Sequence, residues 1–259
     1  MPDSILIAAI YAPSPLNARW YELQKRFIET MTTEPYEFRV YLNGVERAGF
    51  DDADILEVSP INEGHAGALN RVFGHFAKRE HPAYLVLDSD CFPVSKGWHD
   101  ILRNQMRRFG KSFAAPVRTE NLDLFPHPSA MFILPQAVRS GILNPALAPV
   151  KNLLGMEVDD VGGAMREHLD DLLPLMRTNM VNVHPVAAAI YHHLFYHHGA
   201  GSRHFAFRVL KKFGYYDHWY DERMEPQRQR RINDSLLRDP KGFIDSLMGR
   251  GGPGPKSAD

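Results

Sequence analysis

Asp88-Ser89-Asp90 is the segment with the most chemistry in it. Two carboxylates at i and i+2 on a tight turn can face one hard cation. Mg²⁺ or Mn²⁺ takes such oxygen ligands and keeps room for a substrate phosphate. A polar turn closing a strand uses the same residue types, so the pair gains meaning from what surrounds it. Asp159-Asp160 is a second acidic pair. A carboxylate can take a proton from a neighbouring hydroxyl as a general base, and at a helix start the same residues act as caps. The third set runs from His192 to Arg203 and holds four of the 13 histidines: His192, His193, His197 and His198. Gly201 and Ser202 let backbone N–H groups approach an anion, and Arg203 adds a charge suited to phosphate oxygens. A histidine at a strand end can complete a metal site begun by carboxylates. Read as one strand, His193 and His197 share one face and His192 and His198 the other, so they cannot all reach one ion. His198, nearest the glycine turn, is the first choice of ligand and His197 the second.

Composition narrows what these groups can serve. A single Cys against 13 His excludes an internal disulfide and any thiolate-rich zinc or iron–sulfur site, so a bound metal must sit on oxygen and imidazole. The net charge of −1 argues against binding nucleic acid by bulk charge. With 44% hydrophobic and 24% charged residues over 259 positions, the chain is ordinary globular material, neither collagen-like, fully disordered nor coiled coil. Residues 4–12 are apolar, but no basic region precedes them and Pro13 ends the run. That is a buried strand rather than a signal peptide or a membrane span, and the expected location is the cytoplasm.

The elements that must position these residues alternate in the first half. Ile5 to Tyr11, Tyr36 to Leu42, Asp54 to Val58 and Tyr84 to Leu87 read as strands. Residues 16–31 read as a helix, and a second starts near Asn62-Glu63-Gly64-His65, with Leu69, Val72, Phe73 and Phe76 on one stripe. Ser95 is placed to cap a third, with Trp98, Ile101, Leu102, Met106 and Phe109 on one face. Alternating strands and helices predict an α/β fold with a mostly parallel sheet covered on both faces, and such sheets bind ligands at the carboxyl ends of their strands. Asp88 stands at such an end.

The second half is less regular. Ala130 to Leu134 reads as a strand and residues 141–156 as loop. Asp159-Asp160 is expected to open a helix with Val161, Ala164, Met165, Leu169 and Leu172 inward. Ala187 to His198 alternates like a strand, and a helix with Ala206, Val209, Leu210 and Phe213 inward follows Arg203. One domain is expected over 1–220, in two halves that meet near residue 110. A helical or disordered extension over 221–259 follows, Arg-rich and ending in Gly-Gly-Pro-Gly-Pro, with Arg223, Arg228, Arg230 and Arg231 on a solvated face. Cys91 reads as a small packed residue; His65, beside two glycines at a helix start, is placed to touch a substrate or, as the first choice, to serve as a side chain of the capping region.

The stretch from Asn62 to Asn70, followed by Tyr84-Leu85-Val86-Leu87-Asp88-Ser89-Asp90-Cys91-Phe92-Pro93, resembles glycosyltransferases of the GT-A fold, most of all the inverting group that includes family 2. The resemblance covers roughly residues 4–200, with specific motifs at 62–93, and implies a catalytic domain over 1–220 with a nucleotide-binding half at 1–110 and an acceptor half at 111–220. It implies a nucleotide-diphospho-sugar donor, UDP- or GDP-linked, and a cofactor of Mn²⁺ or Mg²⁺ held by Asp90 with Asp88 beside it and a late histidine as a further ligand. It places Tyr11 to Pro13 by the base, Asn43 and Asn70 along the nucleotide with Ser89, and the general base at Asp160 or Asp159, Asp160 first. The family's commoner acidic pair is Glu-Asp, which leaves the choice between the two open. Three other readings compete. A phosphohydrolase of the haloacid-dehalogenase type wants Thr or Val where Phe92 stands and its motif on the first strand. A nucleotidyltransferase wants a glycine-rich loop where Tyr11-Ala12-Pro13-Ser14-Pro15 stands. The last is an inactive carbohydrate- or nucleotide-binding relative.

Overall fold

The computed structural model describes residues 3–117, 122–151, 155–179, 188–199 and 225–250. Ile5–Tyr11 forms the first strand (β1), and all seven residues are buried. Such a run suits a strand covered on both faces. Its alternate residues serve two cores: Ile5, Ile7, Ala9 and Tyr11 face one helix layer, Leu6, Ala8 and Ile10 the other. Asn17–Met31 (α1) buries Trp20, Leu23 and Phe27 in the first layer. Tyr36–Asn43 (β2) and Ile55–Ser59 (β3) follow. Gly64–Phe76 (α2) buries Leu69, Val72 and Phe76 in the second layer. Tyr84–Asp88 (β4) then enters the middle of the sheet, and Cys91–Pro93 (β5) leaves it.

Trp98–Phe109 (α3) lies on the α1 side, with Trp98, Leu102 and Met106 buried. Ile101 and Phe109, expected inward, are 40% and 56% exposed. Ser95 does not cap this helix. Gly97, in the left-handed region, precedes it, and the Ser95 hydroxyl donates to the His193 carbonyl at 2.5 Å. Phe113–Val117 (β6), Ala130–Ile133 (β7) and Pro135–Ser140 (α4) come next. Leu147–Lys151 (β8) and Glu157–Val161 (β9) form an antiparallel hairpin, and Gly163–Asp171 is a kinked 3₁₀ segment before Leu172–Met176 (β10).

The central sheet has seven strands in the order β10-β6-β7-β4-β1-β2-β3. Every neighbouring pair is parallel except those made by β7, which runs antiparallel to β4 and β6. This is the mostly parallel α/β architecture that the alternating pattern predicts. Ala189–Tyr191 (β11) and Phe195–His197 (β12) extend β5 into a separate antiparallel sheet of three strands.

Three expectations for the later half are corrected. Asp159 and Asp160 lie on β9 rather than at a helix start, and part of the 141–156 loop is β8. Pairing along the whole of β8 and β9 overrides the local capping preference of Asp. Ala187 to His198 is not one strand: His192 and His193 take positive φ (54° and 58°) and turn the chain back. The C-terminal stretch is helical where it is described. Glu225–Arg238 (α5) and Pro240–Leu247 (α6) send Ile232, Leu236 and Ile244 into the main core. The helix expected after Arg203 and the Gly-Pro end lie outside the described residues. No helix among the described residues is long and apolar enough to cross a membrane.

Candidate functional site

A cleft of about 240 Å³ opens where β1, β2 and β4 end. Its walls include Ile10, Ala12, Asn43, Asn62, Gly64, His65 and the Asp88-Ser89-Asp90 turn. The position follows from topology: β1 and β4 pair in register, Ile10 opposite Asp88, so their carboxyl ends stop at one level.

Asp88 and Asp90 meet an imidazole here. His197 Nε2 lies 3.6 Å from Asp88 Oδ2 and 3.5 Å from Asp90 Oδ1. Asp90 and His197 are 7% and 4% exposed, while Asp88 is half-buried toward the cleft. The other carboxylate oxygen of Asp88 is 2.9 Å from His65 Nε2, on the first turn of α2. Burial pushes the Asp88 carboxyl up, but the charge and hydrogen bond of His65 and the charge of His197 outweigh it and hold the group below its ordinary value. The His197 ring sits between His127 and Tyr191, with centroids 6.1 and 6.3 Å away.

The backbone of the acidic turn is held from behind by Gln24 of α1. Its Nε2 donates to the carbonyls of Asp88 (2.9 Å) and Cys91 (2.6 Å), and its Oε1 accepts from the Tyr11 hydroxyl at 2.8 Å. Gln24 is fully buried, and these contacts satisfy both ends of its amide.

Several expected residues stand elsewhere. Tyr11 is buried against Phe50 and Tyr21 and faces the core, not the cleft. Pro13 is exposed, and Ala12 lines the wall in its place. Asn70 is exposed on α2 and is not part of the lining. Asn43 does line it, but its side chain is committed to the loop before α2. Its Nδ2 donates to Asn62 Oδ1 and the Gly64 carbonyl, and its Oδ1 accepts from the Glu63 amide. Ser89 lines the cleft. Gly201, Ser202 and Arg203 lie outside the described residues.

His198 is not beside the carboxylates. Its ring is fully buried, hydrogen-bonded to Tyr196 and Asn233, and lies against Trp20. The register of β12 on β5 sets His197 opposite Cys91, and alternation along the strand sends His198 to the other side. His192 bonds Gln105 through Nε2, and the backbone of His193 bonds Thr178 and Ser95; both are turn residues.

Asp160 is half-buried, and its Oδ1 accepts from the Val161 amide at 2.8 Å; Asp159 is exposed. The hairpin that carries them is tied to the His197 side of the molecule. Gly162, just after β9, has φ +92° and presses so close to Pro126 that a Cβ would stand 2.1 Å from its carbonyl oxygen. Pro126 adjoins His127, the neighbour of His197. Cys91 is buried, and burial pushes its thiol well up, which removes it as a nucleophile.

His65, read first as a capping-region side chain, contacts Asp88, and Gln24, which the motif reading did not name, holds the turn's backbone. The signal for His65 was its place two residues past Asn62-Glu63, where the first turn of α2 opens on the strand ends. Gln24 left no signal beyond a polar residue on an apolar helix stripe.

Among the described residues a second cluster, Glu34, His99 and Asp100, has ligand-like spacing. The Thr33 amide points at His99 Nε2, so Nδ1 carries the proton and faces the two carboxylates. Arg103 forks onto Glu34 as well. This network ties α3 to the loop before β2, and with the His99 Nδ1 proton and the Arg103 guanidinium facing the carboxylates it reads as an ion-pair network.

No family model matches the chain, and no curated protein matches it. Among solved structures, A197 from STIV is similar at 13% identity and TM-score 0.38, over 67% of this chain and 82% of that one. S. aureus TarS 1-349 is similar at 10% identity and TM-score 0.36, over 54% of this chain and 49% of that one. At these scores neither likeness bears on what the cleft does.

Proposed function

We propose that the chain is a cation-dependent glycosyltransferase that moves a sugar from a UDP- or GDP-linked donor to an acceptor hydroxyl, with inversion. The observation that carries this reading is the convergence of Asp88, Asp90 and His197 at the carboxyl end of β4, where the two carboxylates and α2's first turn line a cleft and the buried His197 backs them. Two carboxylates and one imidazole suit a divalent cation that accepts mixed ligands. The imidazole favours Mn²⁺ over Mg²⁺, which prefers oxygen alone. Bound there, the cation would neutralise the leaving diphosphate, the main electrostatic demand of the reaction.

The chain's own groups do the rest. His65 fixes one oxygen of Asp88 and leaves the other turned toward His197. Gln24 pins the turn's backbone. The first turn of α2 offers its positive end to the phosphates, and Gly201, Ser202 and Arg203 are assigned to the same anion on sequence grounds. Asp160 is assigned as the base that takes the acceptor's proton, ahead of Asp159. Its half-burial in a hairpin tied to the His127 side supports that choice.

A thermal-shift panel of nucleotide sugars with and without Mn²⁺ tests the reading. Stabilisation by a UDP- or GDP-sugar is expected only with metal present, amounting to about 2.7 kcal/mol when ligand is at about 100 times its dissociation constant. No nucleotide response, together with phosphate release from sugar phosphates, would overturn it in favour of a phosphohydrolase.

A further inference from the structure

The cation site is backed by a buried run of polar side chains that ends on the C-terminal helices. His198 follows the proposed ligand His197, and its ring is 0% exposed. Its Nε2 lies 2.5 Å from Asn233 Oδ1 on α5, and its Nδ1 lies 2.6 Å from the Tyr196 hydroxyl. An amide oxygen only accepts, so Nε2 carries the proton and Nδ1 accepts from Tyr196. Both ring nitrogens are thereby satisfied in the neutral form. Meanwhile the backbone amide of His198 donates to the Asp90 carbonyl at 3.0 Å.

This histidine therefore joins three parts: the acidic turn through its backbone, the hairpin through Tyr196, and α5 through Asn233. The helices it reaches are anchored. Ile232, Leu236 and Ile244 are buried in the main core, and Phe243 of α6 meets the Tyr196 ring edge-on at 6.2 Å. Just after β12 comes Gly199 at φ +75°, so ordinary strand pairing does not continue past His197 and His198. Besides Asn233, the end of the strand carrying His197 is held by its pairing with β5 and β11, by the His198 backbone bonds to Asp90 and Ala188, and by Trp20 against the His198 ring.

We infer that Asn233 is a positioning residue for the cation site, and that residues 225–250 are a working part of that site rather than an appendage. The inference rests on the reading of Asp88, Asp90 and His197 as cation ligands. Asn233 acts through the His198 ring, which sets where His197 and the Asp90 backbone stand. Partners hydrogen-bonded directly to metal ligands are worth roughly 10–100-fold in metal affinity, and Asn233, one residue further out, is set at the low end of that range.

Mn²⁺ titration of the full chain by electron paramagnetic resonance tests it, with far-UV circular dichroism and thermal melting as folding controls. Asn233→Leu removes the acceptor while keeping the bulk, and should weaken Mn²⁺ about 10-fold with the fold retained. Asn233→Asp keeps an acceptor oxygen in place and should stay close to wild-type affinity, a rescue that mere loss of packing does not predict. If wild type binds Mn²⁺ and folded Asn233→Leu binds it equally well, this inference is overturned while the cation reading stands. If wild type binds no divalent cation, the cation reading falls and takes this one with it. Should Asn233→Leu fail to fold, Tyr196→Phe removes the proton donated to Nδ1; weakened Mn²⁺ binding supports the inference, and unchanged binding overturns it.

Discussion

The two halves of the molecule place their candidate site residues by different means. In the first, Asp88, Asn43 and Ala12 stand where β4, β2 and β1 run out, and their position is set by where long buried strands stop. In the second, His197 and Asp160 ride on short antiparallel hairpins, and their position is set by register. A strand end is robust, because shifting it means exposing a fully apolar run such as Ile5–Tyr11. A register is fragile, because a slip of one residue sends every side chain to the opposite face. The side proposed to take the donor is thus rigid by burial, and the side proposed for the acceptor is specified by local pairing.

The largest effect that separates the halves is a pair of carboxylate variants. Asp90→Asn should abolish Mn²⁺-dependent nucleotide binding and lower sugar transfer roughly 1000-fold, since the cation's share of charge stabilisation is several kcal/mol. Asp160→Asn should leave that binding intact and lower turnover roughly 100- to 10,000-fold, the usual worth of a positioned base. Binding assays alongside single-turnover rates distinguish the two. If Asp160→Asn also loses the nucleotide, the division of labour between strand ends and hairpins is wrong.

The same contrast explains what could be read in advance. The β1, β2, β3 and β4 strands and the α1 and α2 helices were visible, because burial on both faces leaves long apolar runs and one-sided helices leave stripes such as Leu69, Val72, Phe73 and Phe76. Asp88 and Asp90 followed from the run that precedes them. His197 was displaced by its neighbour because the alternation from Ala187 to His198 looks unbroken. Only the positive φ of His192 and His193, unusual for residues with a Cβ, makes it two strands. Asp159-Asp160 carried a helix-start signal that the β8 pairing overrode. Asn233 was out of reach, since an Arg-rich stretch hides three core contacts, Ile232, Leu236 and Ile244.

A smaller effect tests rigidity itself. Gln24→Leu strips partners from the Tyr11 hydroxyl and from the carbonyls of Asp88 and Cys91. Each buried group left unsatisfied costs about 1–3 kcal/mol, so a loss of about 3 kcal/mol or more is expected in urea unfolding. Asp159→Ala, on the exposed side of the hairpin, should stay within about 0.5 kcal/mol of wild type. Equal losses for the two would mean the hairpin is as deeply built into the fold as the acidic turn.

The smallest effect is a pH dependence, and it sets the two halves against each other at one carboxylate. Asp88 faces His65 from the first half at 2.9 Å and His197 from the second at 3.6 Å. Burial raises its carboxyl, and the two imidazoles, His65 foremost, bring it below the ordinary value. A carboxyl that is lower folded than unfolded leaves the native chain with fewer bound protons in acid, so stability rises with pH there. The contribution is complete above the ordinary carboxylate pKa, about 4, and is lost as pH falls through the lowered native value. In metal-free buffer, wild type should therefore lose stability faster than Asp88→Asn over that acid range. His65→Ala should flatten the slope more than His197→Ala, because His65 is nearer and adds a hydrogen bond to its charge. The reverse order would mean that the hairpin, rather than the helix start, holds Asp88 in its charged form.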